Sequence, residues 1–330
     1  AMVMLTPPEV RATLYMPTTK DPRITEERIQ QTIALTIERY GLNDPFIVQY
    51  GRWLGSLLRG NLGFSPAAHA FVADALITRI PATVELILYS LVVFIPLGLL
   101  SGLIAGSHQG RSPDLLVRAA AYLAASLPPF ILALVLLSVF WVGLKWFSIG
   151  RLEITNSLLV RSDDFRVYTG FLTIDGLLNR RPEVSLDALR HLVLPVITIS
   201  LLHLSTLARI TRSVTIEEMS KDYVLAARGR GLTERRIIWR HALPNVFVPA
   251  INSSALSVAA LVTSLFIVET IFLFNGVSSM ILTAYSDVPD IALVLGFVLF
   301  SVSMVLIVMT ILDILQALLD PLVRDQEGLF

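Results

Sequence analysis

The stretch LILYSLVVFIPLGLLSGLIAGSHQG, residues 86–110, contains no aspartate, glutamate, lysine or arginine. A helix that crosses the roughly 30 Å hydrocarbon core of a bilayer needs about 20 apolar residues, and this run supplies them. Four further runs meet or approach this length without a charge, at residues 119–144, 191–208, 241–268 and 291–312. The sequence therefore predicts an all-α polytopic membrane protein with five visible transmembrane helices.

The composition of the 330-residue chain agrees with a membrane protein. Hydrophobic residues make up 54% and charged residues 16%, and the mean hydropathy is +0.70, whereas soluble domains carry about 25% charged residues. The net charge is zero, and this balance does not suggest nucleic acid as a partner, which needs a clustered basic face. Because the chain has no cysteine, disulfides, thiolate metal sites and cysteine nucleophiles are excluded.

The five predicted spans differ in their helix-breaking and close-packing signals. Pro128-Pro129 predicts a kink or break inside the second span, because proline removes helical hydrogen bonds. Gly98, Gly102 and Gly106 lie four residues apart in and just after the first span, a spacing that lets two helices approach closely in lipid. The predicted spans are Val84–Ala105, Ala119–Val142, Leu192–Ala208, Val246–Val268 and Ile291–Leu312.

Orientation in the membrane follows from the basic residues of the short loops. The loop 209–244 has eight lysines and arginines, whereas 270–290 has none, so 209–244 is predicted to be cytoplasmic. Alternation then places a polar insertion at about 148–188 outside. It also places residues 1–82 outside, where helices are predicted from Thr25 to Gly41 and from Asp44-Pro45 to Gly60, each with an apolar face.

This topology divides the chain into three parts. Residues 1–82 form an external segment with amphipathic helices, 83–324 form the transmembrane domain, and 325–330 form a cytoplasmic tail. An external amino-terminal segment needs some way across the membrane, so we expect a further span to precede Ala1.

The cytoplasmic loop at about 212–244 contains glycine, capping and proline residues at positions where helices are expected to begin and end. Asp222–Arg228 is helix-like and is followed by glycines, of which Gly231 can adopt positive φ at a turn. Thr233 is placed to cap a second helix, Glu234–Ala242, which Leu243-Pro244 is expected to end. The sequence predicts a compact, basic helix–turn–helix knob, in which Ala226 and Ala227 are small enough to let another surface approach closely.

This loop resembles the EAA loop of the membrane subunits of ABC-type importers. Ala226, Ala227, Gly231, Leu243 and Pro244 fall at the spacing of that pattern. Leu225 stands where the pattern has Glu and His241 where it has Ile. These two departures, and matching segments between about residues 40 and 324, resemble the branch that serves dipeptides, oligopeptides and nickel.

The resemblance implies a MetI-like ABC importer permease fold, which usually has six spans, in the inner membrane of a prokaryotic cell. It implies a second homologous permease subunit, two ABC ATPase subunits and an extracytoplasmic substrate-binding protein as partners. It assigns coupling with the ATPase to the loop residues Asp222, Tyr223, Ala226, Ala227, Arg228, Gly231, Leu232, Arg240, His241, Leu243 and Pro244. Glu269, in a segment that also matches the branch, is a candidate for the substrate pathway.

The chain has no ATPase motif of its own, because none of its three lysines follows a glycine as a phosphate-binding loop requires. We therefore expect no catalytic residue, no metal and no cofactor in this chain, with ATP and Mg²⁺ bound by the partner ATPase subunits. The favoured function is ATP-driven import of di- or oligopeptides.

Other functions remain open. The same mechanism could import nickel chelates or oligosaccharides. A gradient-driven secondary transporter would favour ionisable groups in mid-membrane, whereas Glu85, Glu269 and Asp313 all lie near the ends of predicted spans. A membrane scaffold without transport activity is a third possibility.

Overall fold

The computed structural model describes residues 7–13, 26–285 and 290–319. Most of these residues are helical, which confirms the all-α class. The strands among the described residues are β1 (Phe64–Ser65) and β2 (Ala70–Phe71), which pair as an antiparallel hairpin. Fourteen α-helices are described, and their bounds are α1 Pro8–Thr13, α2 Glu26–Tyr40, α3 Phe46–Leu58, α4 Val72–Ser107, α5 Ser112–Ser126, α6 Pro129–Leu136, α7 Ile154–Val160, α8 Leu172–Leu178, α9 Pro182–Met219, α10 Asp222–Gly229, α11 Glu234–Arg236, α12 Leu243–Ile271, α13 Ser279–Ala284 and α14 Ile291–Leu319. Two π-helical segments, Leu137–Gly143 and Ile237–Ala242, follow α6 and α11.

Several described helices are long and apolar enough to cross a membrane. Among the described residues these are α4, α9 and Ile291–Ile311 of α14, and α5 with α6 and its π-helical extension form a fourth, bent pair. The 29 residues of α12 would extend about 43 Å at 1.5 Å per residue, which also suffices for a crossing. Each predicted span therefore corresponds to a helix or helix pair.

Two helices extend well beyond the spans predicted within them. Helix α4 begins twelve residues before Val84, and α9 runs from Pro182 to Met219 rather than from Leu192 to Ala208. A predicted span covers only the apolar part of a helix, and the helix can continue past the hydrocarbon boundary. In consequence α9 takes up the last residues of the predicted insertion and the first residues of the predicted coupling loop.

The second predicted span is broken at a right angle. Helix α5 ends at Ser126 and α6 begins at Pro129, and the two axes differ by 99°. Pro128 and Pro129 cannot donate backbone hydrogen bonds, so the α5 ladder stops there and a new helix starts with proline in its first turn. The expected break is confirmed.

The described residues form two compact units. The first comprises residues up to Ile80 together with Gly276–Ser301. Its apolar core includes Val72, Leu76, Met280 and Leu293.

Polar contacts in the first unit fix its hairpin and its helix starts. The buried Asp290 carboxylate accepts hydrogen bonds from the Ser65 hydroxyl at 2.7 Å and the Leu293 N–H at 3.1 Å, in the first turn of α14. Helix α3 begins at Phe46 with Pro45 as its cap residue, directly after the Asp44-Pro45 start that the sequence predicts, and the Asp44 carboxylate pairs with Arg52. Thr25, the expected cap of α2, lies outside the described residues.

The second unit comprises Pro81–Asn275 and Val302–Phe330. Its core is built mainly from α4, α9 and α12 and includes the fully buried Phe94, Ile199, Val268 and Phe272. The unit contains both the long insertion after the π-helical segment Leu137–Gly143 and the loop that resembles the EAA loop.

The three glycines of α4 form a seam against α9, as their spacing predicted. A Cβ added at Gly102 would lie 2.5 Å from the Thr211 Cβ and 2.6 Å from the Ala208 carbonyl oxygen. A Cβ at Gly98 would lie 2.9 Å from the Leu207 side chain, and one at Gly106 would lie 2.5 Å from the Thr215 Cβ. Without side chains at these positions the two helices make backbone-level contact, which orients the carboxyl end of α9.

Candidate coupling site

The elbow, residues 218–245, begins in the last residues of α9 and ends in the first turn of α12. Its first arm is α10, which carries Asp222 in its first turn and Arg228 in its last. Both charges suit the helix dipole, because the amino end of a helix favours negative charge and the carboxyl end favours positive charge.

The first arm ends in a Schellman turn. Gly231 has φ of +77°, its N–H donates to the Arg228 carbonyl at 2.9 Å, and the Leu232 N–H donates to the Ala227 carbonyl at 3.2 Å. This pair of bonds satisfies the last carbonyls of a helix and needs a left-handed residue, for which glycine has no steric penalty. A Cβ at Gly231 would meet no atom within 4 Å, so backbone conformation alone makes glycine suitable there.

The second arm differs from its prediction. Thr233 is the cap residue as expected, although its side chain makes no capping bond, but α11 stops at Arg236 and is followed by the π-helical segment Ile237–Ala242. Leu243-Pro244 does not end this arm, because the π-helical segment continues directly into α12. Pro244 lies in the first turn of α12, where proline is well tolerated because its missing N–H costs less there than in the middle of a helix.

A small apolar core holds the two arms together. Val224 and Ile237 are fully buried and Ala227 is 6% exposed, with Tyr223 and Leu232 packed against them. Ala227 is therefore an internal packing residue, and the expectation that it offers open surface to another protein is wrong. The alanine suits this position because the two arms cross closely there.

Polar side chains brace the elbow at both ends. The Glu218 carboxylate accepts from the Tyr223 hydroxyl at 2.9 Å and pairs with Lys221 at 2.5 Å. Asn245 donates to the Tyr223 hydroxyl at 3.4 Å and to the His241 carbonyl at 3.2 Å. A tyrosine hydroxyl is protonated at neutral pH and can donate the bond to Glu218, and burial raises the pKa of Tyr223 further.

A second ion pair joins the arms near the turn. The Arg228 guanidinium donates two hydrogen bonds to Glu234, at 2.6 and 3.2 Å. These bonds lower the pKa of the Glu234 carboxyl. Because both side chains are about half exposed, the pair sets the geometry of the elbow more than its stability.

One exposed stripe runs along α10. Asp222, Leu225, Ala226 and Gly229 are exposed and follow the i, i+3, i+4, i+7 spacing of a single helix face. Leu225 leaves 57% of its surface exposed, and the stripe lies opposite the buried Val224 and Ala227. A narrow face with small residues around one large apolar side chain is suited to lying in a groove of another protein.

The predicted coupling residues therefore separate into three groups. Asp222 and Ala226 lie on the exposed stripe, Arg240 and Pro244 are exposed further along the chain, and the others are at least partly buried or make contacts within the elbow. The internal group is Tyr223, Ala227, Arg228, Gly231, Leu232, His241 and Leu243. Sequence reasoning missed Leu225 as a surface residue, and missed Glu218, Glu234 and Asn245 as braces, although the charges three to six residues apart were a usable signal.

Glu269 lies apart from the elbow, near the end of α12. It is 2% exposed and accepts a hydrogen bond from the Thr83 hydroxyl at 2.6 Å. A second buried carboxylate, Glu85, lies two residues after Thr83 and binds Arg151 at 2.7 Å. Both carboxylates join α4 to other parts of the second unit.

The insertion has an ordered fold that hydrogen bonds to buried carboxylates stabilise. Glu85 accepts hydrogen bonds from the Thr173 N–H at 3.0 Å and the Thr173 hydroxyl at 2.7 Å, in addition to Arg151. Asp175 accepts from the backbone of Thr169 and Gly170, at 2.8 and 2.9 Å. The polar residues of the predicted insertion thus include residues that fix its fold.

Nothing in the described part of the chain resembles a metal centre, since no group of three or more His, Asp or Glu side chains comes together there.

Comparison with known proteins identifies the family. The family described as "Binding-protein-dependent transport system inner membrane component" matches residues 95–325, which include the whole elbow. The chain belongs to this family. It is thus an inner-membrane permease component, a transport subunit rather than an enzyme, which confirms the resemblance read from the loop.

Relatives of this permease component cover nearly its full length. It is 34% identical over 304 residues to the di/tripeptide transport system permease protein DppB of Pseudomonas aeruginosa, covering 92% of this chain and 88% of the relative. It is 32% identical over 299 residues to the probable D,D-dipeptide transport system permease protein DdpB of Escherichia coli, covering 88% and 84%. It is 27% identical over 302 residues to the oligopeptide transport system permease protein AppB of Bacillus subtilis, covering 91% and 86%.

Proposed function

We propose that this permease component is one of two homologous permease subunits of an ATP-driven importer of di- or oligopeptides. Relatives named for dipeptide, tripeptide and oligopeptide transport support this substrate class, since three of them align over most of the chain. Peptide delivery by an extracytoplasmic substrate-binding protein fits the description of the family.

The observation that carries the proposal is the braced elbow between α9 and α12. Switching a two-state gate from 1:99 to 99:1 needs roughly 5.5 kcal/mol of differential binding. A flexible loop would change its own conformation when the partner moved and would not pass this free-energy difference on to the helices. This elbow has its own core, a Schellman turn and two ion pairs, so a force on α10 is passed on to two long helices.

The exposed stripe of α10 is the proposed docking face for an ABC ATPase subunit. Two such subunits would bind ATP and Mg²⁺ and supply the energy, one below each permease. Leu225 would enter an apolar groove, Ala226 and Gly229 would let the partner approach, and Asp222 would contact the rim. The remaining predicted coupling residues would act by keeping the stripe in place, and Glu269 stays a candidate for the pathway.

Peptide uptake by the reconstituted complex tests this proposal. Ala226→Trp adds bulk to the stripe, whereas Thr233→Trp adds the same side chain to an exposed position outside it. We expect Ala226→Trp to abolish ATP-dependent peptide uptake and co-purification of the ATPase subunits, and Thr233→Trp to retain both.

Other results would point to the alternatives. Uptake on an ion gradient without nucleotide would identify a secondary transporter, and partner binding without any uptake would identify a scaffold. ATP-driven uptake of nickel chelates or oligosaccharides in place of peptides would overturn the substrate class alone.

A further inference from the structure

The second arm of the elbow carries two arginines that have no carboxylate partner among the described residues. Arg228 on the first arm is paired with Glu234, but Arg235 and Arg236 make no ion pair with any described residue. Both side chains are exposed. Exposed guanidinium groups that lack an internal partner are available to an external anion, and their planar shape suits phosphate oxygens.

An exposed tryptophan lies on the same side of this arm. Ile237 is fully buried in the elbow core, and Arg235 and Trp239 lie two residues before and after it. Residues two positions from a buried residue on a helical segment point to the opposite side, and Trp239 is 47% exposed. Arg235, Arg236 and Trp239 form the exposed side that we call the arginine–tryptophan face.

The position of this face along the chain places it at the edge of a bilayer. The uncharged run 241–268 has 28 residues, which as a helix would extend about 42 Å. A bilayer with its head-group layers is about 40–45 Å thick. If the run crosses the bilayer, it takes up the head-group layers as well, so the residues just before it lie at the outer edge of the head groups, next to the interface where tryptophan is enriched.

We propose that the arginine–tryptophan face binds the head group of an anionic phospholipid. The lipid phosphate would accept hydrogen bonds from Arg235 and Arg236, while the Trp239 indole would lie among the head groups. The opposite charges and the membrane-edge position favour a lipid over an acidic protein surface. Lipid binding would hold the second arm at the membrane and leave the α10 stripe on the first arm free for its partner.

Phosphatidylglycerol binding to the purified full chain tests the proposal. Native mass spectrometry in detergent would compare retention of phosphatidylglycerol with that of phosphatidylcholine of the same chain length. We expect Arg235→Gln to weaken phosphatidylglycerol retention about fivefold, the effect of roughly one arginine at an anionic surface. Arg230→Gln removes the same charge from an exposed position on the turn and should leave retention unchanged.

Fluorescence reports on the tryptophan independently of charge. The difference between the emission of wild type and Trp239→Phe isolates Trp239 from the other three tryptophans. We expect this component to shift to shorter wavelength in vesicles that contain phosphatidylglycerol, relative to pure phosphatidylcholine.

Three outcomes would overturn the lipid assignment. Equal loss of retention for Arg230→Gln and Arg235→Gln would show general charge attraction without a defined face. Unchanged lipid retention together with weaker co-purification of the ATPase subunits for Arg235→Gln would assign the face to that protein. A Trp239 emission that does not respond to phosphatidylglycerol would place the indole away from the head groups.

Discussion

The elbow and the insertion are both polar connections between long helices, but different contacts hold them together. The contacts of the elbow are local: Glu218 with Tyr223, Arg228 with Glu234, and Tyr223 with Asn245 lie 5, 6 and 22 residues apart. The insertion is held over long distances, since Glu85 binds Arg151 and Thr173 across 66 and 88 residues.

This difference has a mechanical consequence. A segment whose contacts are local keeps its shape while the surrounding structure moves, so the elbow can transmit a displacement as one body. The insertion is fastened to α4 by a buried carboxylate and has to move with that helix. We therefore expect substitutions in the insertion contacts to change global stability and substitutions in the elbow to change coupling.

The largest effect is expected from Glu85→Gln. It removes the charge that faces Arg151 and weakens two bonds from Thr173, all at a carboxylate that is 1% exposed. Loss of one partner of a buried pair costs about 3–5 kcal/mol, and the lower end applies because the Arg151 side chain is 21% exposed. Thermal unfolding of the purified chain in detergent measures this loss.

Thr173→Val is the matched control for the Glu85 contact. It removes one hydroxyl bond, leaves the ion pair in place and should cost only about 1 kcal/mol. Equal destabilisation by Glu85→Gln and Thr173→Val would mean that the ion pair contributes nothing, and the contrast with the elbow would then fail.

The next effect is expected at the glycine seam that positions α9 and therefore the elbow. Gly102→Ala would place a Cβ 2.6 Å from the Ala208 carbonyl, a backbone atom that cannot rotate away. Overpacking of this kind costs about 1–3 kcal/mol. Gly51→Ala, in α3 with no atom within 4 Å, should instead stabilise the chain by up to about 1 kcal/mol. Unfolding shifts of the same sign for both variants would contradict the seam.

The sequence predicted features that depend on local chemistry. Pro128-Pro129 predicted a break because proline lacks an N–H, and Gly231 was correctly placed at a turn because that turn needs positive φ. The spacing of Gly98, Gly102 and Gly106 predicted close packing but could not identify α9 as the partner.

The sequence did not predict features that depend on contacts between residues far apart in the chain. Glu85 was expected only to lie near the end of a span, and nothing close to it in the sequence indicates Arg151 or Thr173. The right angle between α5 and α6 is set by packing within the unit, which the proline pair permits but does not determine. The sequence did not predict that the π-helical segment Ile237–Ala242 continues into α12, because Leu243-Pro244 is typical of a helix end.

A smaller, functional effect is expected at Gly231. Valine there has to adopt φ near +77°, which costs roughly 1–2 kcal/mol for a residue with a Cβ, whereas asparagine tolerates this conformation. We expect Gly231→Val to reduce ATP-dependent uptake by the complex several-fold with little change in global unfolding, and Gly231→Asn to retain most uptake. Loss of global stability in both variants would indicate that the elbow is not a local unit.

The smallest effect is expected from the pH dependence of the Arg228–Glu234 pair. The Arg228 hydrogen bonds lower the pKa of Glu234 below its ordinary value of 4.5. A carboxyl whose pKa is lowered on folding stabilises the folded form at higher pH, and this contribution is lost as pH falls from the ordinary value through the lowered one. Amide hydrogen exchange across residues 222–237 should therefore differ between wild type and Glu234→Gln at neutral pH, with more protection in wild type. The difference should vanish in acid, where wild-type Glu234 is also neutral. Because the pair is half exposed, a difference that also appears in global unfolding would contradict the local character of the elbow.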